Sequence, residues 1–492
     1  MSGFFGVVSK ENCASDLFYG TDYHSHLGTV RGGMALWADN RFHRSIHDIS
    51  NSPFRTRFDS DYAEFAKHDP RSGIGIISDT DDQPLIFLSH LGRYSLGTVG
   101  RISNIEEITK KLLKNNNSQF AAMQSGVITP TEVVGNIINS QATIEDGIQY
   151  VHDTIEGSCS ILLLAENNVL YAARDKFGRT PIVIGRKDEG YCVAFESCSL
   201  PTLGFEVVRD IGPGEIVKVT ASGIETVVPP QPAENERLCA FLFVYFGYPA
   251  SAYNGRNVEE TRYHCGRILA RRSGIDADTV AGIPDSGVGH ALGYAQEAGI
   301  LYTRPFVKYT PTWPRSFTPT EQSLRKRIAQ MKLIPIPSLI KDKRIVFCDD
   351  SIVRGTQLRD QTRRMRAAGA KAVHIRIACP PLLYPCNFLN FSRSNNITDL
   401  ITRRIINDMR GEGANAIDFR DPNSDEYKTM VARIREGLGI DSLAFQHLDD
   451  LKAAIGLEGL CTYCLSGEDR GMPNTSCAAG CSTCNAKCSS RF

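Results

Sequence analysis

Two adjacent carboxylates, Asp349 and Asp350, follow the apolar run Ile345-Val346-Phe347-Cys348 and precede a short loop, Ser351-Ile352-Val353-Arg354-Gly355, that ends at Thr356. The run is too short for a helix and rich in β-formers, so it reads as a buried strand. Thr356 stands where it can cap a helix running to about Ala368, with Gly369 as its stop. Strand, acidic pair, tight loop and helix N-terminus make a phosphate cradle: loop N–H groups and the helix dipole favour an anion, and the Ser351 and Thr356 hydroxyls add donors. The carboxylates repel phosphate, so they are expected to face sugar hydroxyls or a magnesium-bound part of the ligand. The other chemistry-bearing residues are thiols. Of fifteen cysteines, six fall in the last 32 residues, among them the Cys-x-x-Cys pair Cys461 and Cys464. That spacing suits an iron–sulfur cluster or zinc better than disulfides in a reduced compartment.

The chain of 492 residues is long enough for two to four domains. With 42% hydrophobic and 22% charged residues it has the composition of a soluble globular protein. Lys+Arg and Asp+Glu balance at 55 each, so charge points neither to nucleic acid nor to a membrane surface. No apolar run approaches a membrane span of ~20 residues, and the start MSGFFGVVSK lacks the order of a signal peptide. A cytoplasmic location is expected. Residues 73–77, 83–91, 160–166 and 168–174 read as strands, and 105–116 as an amphipathic helix. The proline-rich stretch from Pro229 to Glu234 reads as a linker.

The stretch DDSIVRGT (349–356) resembles the 5-phosphoribosyl-1-pyrophosphate (PRPP) motif of type I phosphoribosyltransferases, in the form carried by glutamine PRPP amidotransferases. The resemblance implies that Asp349 and Asp350 hold the ribose 2′ and 3′ hydroxyls, and that Ser351 to Thr356 bind the 5′-phosphate. Residues 282–287, with Asp285, Ser286 and Gly287, look like the family's pyrophosphate loop, where small residues let the backbone approach a diphosphate. The basic, proline-rich stretch 305–333 resembles the flexible loop that closes over PRPP, with Arg315 and Lys332 as the catalytic positions carried over. Arg325, Lys326 and Arg327 read equally well as a solvated helix face. Two positions in the opening segment 239–251 depart from the family: Tyr248 stands where an arginine is usual and Ala250 where an aspartate is usual. Residues 406–430 look like an insertion and receive no function.

Cys239, Cys386, Cys461 and Cys464 match the positions that carry a [4Fe–4S] cluster in one branch of the family. The last four thiols, Cys477, Cys481, Cys484 and Cys488, are not part of that pattern. A second cluster, a Zn2+ site and a disordered thiol-rich tail all remain open for them. Cys348 and Cys379 read as buried strand residues.

The fold implied is α/β and α+β. Residues 1–228 form an N-terminal-nucleophile (Ntn) hydrolase-like αββα sandwich, 229–238 a linker, 239–450 a type I phosphoribosyltransferase domain with a parallel sheet, and 451–492 a Cys-rich metal-binding tail. DKFGRTPIVIG (175–185) supports the sandwich, since it resembles the family's Asp-x-x-Gly-x-Arg-Pro-Leu stretch. The glutaminase residues do not follow. Ser2 takes the place of the nucleophilic cysteine, and a serine alcohol is far harder to ionise than a thiol. His26-Leu27-Gly28-Thr29 replaces His-Arg-Gly-Gln, Ser78 replaces the arginine that holds the glutamine carboxylate, Thr98-Val99-Gly100-Arg101 replaces the oxyanion loop His-Asn-Gly-Asn, and Thr129-Pro130-Thr131-Glu132 replaces Ser-Asp-Thr-Glu. The expectation is an amidophosphoribosyltransferase-like enzyme that makes 5-phosphoribosylamine with free or delivered ammonia, releasing pyrophosphate, with Mg2+ and a [4Fe–4S] cluster as cofactors. Its rivals are a PRPP- or nucleotide-sensing homologue and a transferase that uses another amine. The resemblance further implies purine nucleotides as inhibitors and a homo-oligomer, dimer or tetramer.

Overall fold

The structure, a computed structural model, describes residues 2–114, 120, 123–124, 127–309, 333–390 and 397–468. Its first half is built on period-2 strands with both faces buried. Phe4 and Val8 of the strand Gly3–Ser9 join one apolar cluster while Phe5 and Val7 join another. Leu162 and Leu164 of Gly157–Ala165 likewise face one way, Ile161 and Leu163 the other. Successive side chains of a strand point to opposite faces, so each strand feeds two cores. The strands form two antiparallel sheets. One has seven, in the order Glu206–Asp210, Val183–Lys187, Gly190–Ala194, Gly3–Ser9, Ser72–Ser78, Arg31–Ala38, Arg41–Asp48. The other has six, in the order Gly223–Val228, Ile216–Thr220, Val169–Ala173, Gly157–Ala165, Gly92–Ile102, Leu85–Ser89. They share an inner core, and their outer faces are covered by Ala14–Asp22 and Phe54–Lys67 on one side, Pro130–Ile138 and Ile144–Thr154 on the other. This is the αββα layering expected, and the four strands read from sequence are present with ends shifted by a few residues.

The second half carries a four-stranded parallel sheet: Thr279–Gly282, Arg344–Asp349, Ala372–Ile377, Ser442–Phe445. Arg344–Asp349 lies inside it. Ile345 and Phe347 enter one core and Val346 and Cys348 another, all fully buried. A strand covered on both faces reads as an unbroken apolar run rather than an alternation, which is why IVFC is legible in sequence. The segment expected to link the halves holds a short 3-10 turn, Ala233–Asn235, and then the strand Leu238–Cys239, which pairs in parallel with Leu460–Cys461. Among the described residues, no helix is long and apolar enough to cross a membrane.

Buried charges tie the halves together. Arg174 donates to the carbonyls of Thr180, Ile211 and Gly178, each at 2.7 Å, and pairs with Glu236 at 2.8 Å. Arg179 lies 3.8 Å over the ring of Phe388. Glu196, on the N-terminal side, is fully buried and meets His26 Nε2 at 2.9 Å, Tyr248 N at 3.2 Å, Ser251 Oγ at 3.3 Å and the Tyr253 hydroxyl. Burial alone would raise this carboxyl, but the charge and hydrogen bond of His26 and the Tyr253 hydrogen bond outweigh it and bring it down to about 2. A depressed acid stabilises the fold above its unfolded value and loses that stabilisation as pH falls through its folded value, here ~3 kcal/mol between pH ~4.5 and ~2. Urea midpoints of wild type and Glu196→Gln are therefore expected to differ most at neutral pH and to converge across that window. Parallel midpoints at every pH would remove Glu196 from the acid response.

Candidate functional site

At the end of the strand Arg344–Asp349 the chain crosses the loop that precedes the helix Gly287–Ala298. The crossing is close: a Cβ on Gly287 would stand 2.4 Å from the Cys348 carbonyl oxygen, and one on Gly282 would stand 2.6 Å from the Gly287 oxygen. Only glycine fits at these two positions. The contact brings Asp285, Ser286 and Gly287 beside the acidic pair. Ser286 Oγ and Ser351 Oγ each donate to Asp350 at 2.5 Å, one to each carboxylate oxygen. Asp350 N donates to Asp349 Oδ1 at 3.0 Å, and Lys308 forms an ion pair with Asp285. The Pro284–Asp285 peptide is cis.

A carboxylate pair that meets ligand hydroxyls at a strand end should be exposed, yet Asp349 is half-buried and Asp350 only 7% exposed. The reason is the loop crossing, whose serine closes over Asp350. Burial, followed by the mutual repulsion of the two groups, pushes Asp349 well above the usual carboxylate range. Burial also raises Asp350, while the Ser286 and Ser351 hydroxyls and the Arg262 charge pull it back. The expected Thr356 cap is also corrected. Thr356 is the first residue of the helix Thr356–Ala367, and Gly355, at φ 74°, holds the cap position with no side-chain cap bond. A left-handed residue turns the chain sharply there, which glycine does without strain. Two helix N-termini, at Gly287 and Thr356, therefore flank the strand end. Helix N-termini favour phosphate oxygens through their dipoles, although at the first of them Gly287 N and Val288 N already donate to the Ile283 and Asp285 carbonyls, and the carboxylates suit hydroxyls or a hard cation.

Sequence reading missed the supports. Arg262, 3% exposed, donates to the carbonyls of Phe243, Tyr245 and Gly247 at 2.9–3.1 Å, and its charge reaches Asp350. It is one of four arginines in the helix Val258–Arg272, and nothing in its spacing marks it. Residues 397–404 brace the loop from outside: Arg354 donates to Asp399 at 2.7 Å, Ile401 N to the Val353 carbonyl at 2.8 Å, and Arg404 to the Arg354 carbonyl at 2.6 Å. Arg315 and Lys332 lie outside the described residues, as do Cys477, Cys481, Cys484 and Cys488.

The four matched thiols converge from three segments. Pairing of Leu238–Cys239 with Leu460–Cys461 sets Cys239 opposite Cys461, and the Cys464 carbonyl accepts from Leu383 N and Tyr384 N, near Cys386. Cys386 Sγ accepts from Phe388 N at 3.4 Å and Leu389 N at 3.3 Å. Burial, then the neighbouring thiols, pushes Cys239 and Cys464 up strongly, and Cys386 up to about 11. Among the described residues, no three of these sulfurs lie within 4.8 Å of one another. Four thiols brought together from three segments can hold a cluster or a single thiolate-bound ion.

Around Ser2 several polar groups bond one another. Ser2 Oγ sits 3.5 Å from Ser78 Oγ, and Asp81 accepts from Thr80 Oγ1, Gln83 Nε2 and Thr131 Oγ1 at 2.7–2.8 Å. Gln83 Oε1 in turn accepts the Thr98 N–H at 2.7 Å. The segment matched to the oxyanion loop docks on the other half. Arg101 donates to the Cys386 carbonyl at 2.6 Å, and Asn390 donates to the Gly100 carbonyl at 3.2 Å.

An acid-pair loop at the carboxyl edge of a parallel sheet, joined to an N-terminal αββα sandwich, defines a type I phosphoribosyltransferase fold fused to an amidotransferase-type domain. Residues 70–201 match the family model described as a glutamine amidotransferase domain. The chain is 29% identical over 493 residues to the amidophosphoribosyltransferase of Methanocaldococcus jannaschii, spanning 95% of this chain and 97% of that one. It is 30% identical over 390 residues to that of Archaeoglobus fulgidus, spanning 78% and 79%. The solved glutamine PRPP amidotransferase from B. subtilis, complexed with ADP and GMP, superposes with a TM-score of 0.79 at 26% identity over 95% of this chain and 97% of that one. The chain belongs to the amidophosphoribosyltransferase family and is an enzyme of the phosphoribosyltransferase class.

Proposed function

We propose that the enzyme converts PRPP to 5-phosphoribosylamine for purine synthesis, with ammonia rather than glutamine as its nitrogen donor. The observation that carries the choice of donor is the contrast between the two sites. The acid-pair loop keeps the residues of its motif, whereas the polar groups around Ser2 are taken up by Ser78, Asp81, Gln83 and Thr131. Losing the nucleophile, the carboxylate anchor and the oxyanion donor together leaves little to hydrolyse an amide.

In this reading Asp349 and Asp350 accept hydrogen bonds from the ribose 2′ and 3′ hydroxyls. The N–H groups of Ser351 to Gly355 take the 5′-phosphate, with a hydroxyl donor from Thr356, while the Ser351 hydroxyl stays on Asp350. The backbone at Asp285, Ser286 and Gly287 takes the pyrophosphate, with Arg315 and Lys332 closing over it. The C1–O bond to pyrophosphate breaks, a C1–N bond to ammonia forms on the opposite face, and the nitrogen gives its extra proton to solvent. Catalysis is positioning and charge stabilisation. The carboxylate and hydroxyl oxygens present fit a hard cation, and Mg2+, when bound with PRPP, neutralises charge on the leaving group. Cys239, Cys386, Cys461 and Cys464 would hold a structural [4Fe–4S] cluster.

Pyrophosphate release is measured with PRPP plus ammonium chloride or glutamine. Turnover is expected with ammonium at alkaline pH, where free ammonia is abundant, and with glutamine a rate at least about 10³-fold lower, unchanged by Ser2→Ala. A loss of two to three catalytic groups of this kind is worth about 4 kcal/mol or more in the barrier. Glutamate formation abolished by Ser2→Ala would overturn the choice of donor. Absence of turnover with either donor, with PRPP still bound, would favour a sensor.

A further inference from the structure

The edge of the N-terminal sandwich brings together donors that neither the PRPP site nor the thiols use. The strands Arg31–Ala38 and Arg41–Asp48 are joined by the two-residue turn Asp39–Asn40, with φ of 51° and 58°. Such a left-handed pair makes a tight hairpin, and Asp and Asn tolerate it. Two residues into the return strand stands His43. His68 closes the C-terminal end of the helix Phe54–Lys67. Asp39 Oδ2 lies 2.7 Å from His68 Nδ1 and 3.8 Å from His43 Nε2. The two imidazoles lie with centroids 3.9 Å apart, tilted at 34° to each other, and the three donor atoms all lie within 4.8 Å of one another.

We propose that Asp39, His43 and His68 form a binding site for a borderline divalent transition metal of the Zn2+ or Co2+ type. A tetrahedral site with N and O donors at about 2.0–2.1 Å needs about 3.4 Å between donors. The two distances to Asp39, 2.7 and 3.8 Å, bracket that spacing, and the two imidazole donors stand within 4.8 Å of each other, so small side-chain shifts close the triad around an ion. The nitrogens have suitable roles. Arg41 Nε lies 3.3 Å from His43 Nε2 as a donor, so that nitrogen presents a lone pair. His68 turns Nδ1 to the triad and Nε2 toward Glu64 Oε1, 3.8 Å away. This is the arrangement in which an outer carboxylate orients a metal-binding imidazole. Two neutral imidazoles with a carboxylate suit zinc-like ions over Mg2+ or Ca2+. The Asp39 side chain is 56% exposed, which leaves the fourth position to water. An ordinary surface ion pair needs one histidine, whereas here two share one carboxylate oxygen. A bound ion would clamp the hairpin turn at the sheet's edge strand to the helix end, a stabilising role.

Zn2+ equilibrium dialysis on the full-length protein reads the site as stoichiometry. The double variant His43→Gln/His68→Gln is expected to bind one Zn2+ fewer per chain than wild type, and each single variant to bind that ion at least about tenfold more weakly. Glu64→Gln is expected to weaken it by ~10–100-fold, as outer partners do, and Arg41→Ala to tighten it by freeing His43 Nε2. His47→Gln, on the same strand but paired with Asp61 at 2.8 Å, should keep the full count. Co2+ separates this ion from any held by cysteines. Bands lost in the double variant should be weak visible ones without thiolate charge transfer in the near ultraviolet. The proposal fails if the double variant, folded by circular dichroism, keeps the same count and visible bands. It also fails if saturation of the site needs millimolar metal, since the triad is then only an ion pair.

Discussion

Asp349→Asn is expected to lower kcat/KM for PRPP by roughly 10²–10³-fold while leaving the thermal midpoint unchanged or raised. The loss follows from removing a charge-assisted acceptor of two sugar-hydroxyl bonds, worth about 3–4 kcal/mol together. The stability follows from the apo site itself. Asp349 and Asp350 are neighbouring carboxyls that burial and mutual repulsion push up, so neutralising one relieves like-charge repulsion. Asp350→Asn should lose activity on the same scale for a different reason. Its carboxylate takes the Ser286 and Ser351 hydroxyls, and an amide there keeps one acceptor and must turn a donor toward one serine. That change misplaces the pyrophosphate-side loop, so its kcat should fall with KM. Initial rates over a PRPP series and calorimetric midpoints read both effects. An Asp349→Asn enzyme with wild-type kcat/KM would remove that residue from the sugar site. A drop of many degrees in its midpoint would make the pair a structural element instead.

What the sequence made legible is what short-range chemistry dictates. The run Ile345 to Cys348 could only be a buried strand, and the helix after the loop begins at the residue read for it, Thr356. Residues read from local pattern fared worse where another segment decides. Thr356 looked like a cap, but the chain turns on Gly355, because a left-handed residue is needed and a threonine side chain is not. The acidic pair looked exposed, but Ser286, 64 residues earlier, covers Asp350. Arg262 and Glu196 carry no sequence signal, since each is defined by carbonyls or hydroxyls from distant segments. The Asp39–His43–His68 triad is the same kind of case: it exists only because a hairpin turn meets a helix end 29 residues on. Motif residues can be read from one chain because their spacing is the chemistry. Supporting residues cannot, because their spacing is the fold.

Protein prepared without oxygen is expected to be brown and to hold about four irons per chain from Cys239, Cys386, Cys461 and Cys464, or about eight if the last four thiols hold a second cluster. Cys461→Ser or Cys464→Ser should lose the first set and destabilise the fold by about 5 kcal/mol. The magnitude follows from the loop closed. Cys239 and Cys461 lie more than two hundred residues apart, and a cross-link over such a loop removes about that much chain entropy from the unfolded state. The strand Leu460–Cys461 and the turn Tyr463–Ser466 are short, and besides the pairing with Leu238–Cys239 and the Cys464 carbonyl bonds they are held by the buried Leu465, the Tyr463 ring against Phe388 and the Arg420 bond to the Ser466 carbonyl, so the segment should stay docked while the cross-link is lost. Burial raises these thiols further above their ordinary value, itself already above neutrality, so binding must expel their protons and should strengthen steeply as pH rises. Replacing Cys481 and Cys484 together should leave the first set in place. The metal content itself decides between cluster and zinc. Stoichiometric zinc without iron would overturn the cluster and keep the clamp. Neither metal in anaerobic protein would overturn both, and would leave the four cysteines as inherited positions without a ligand.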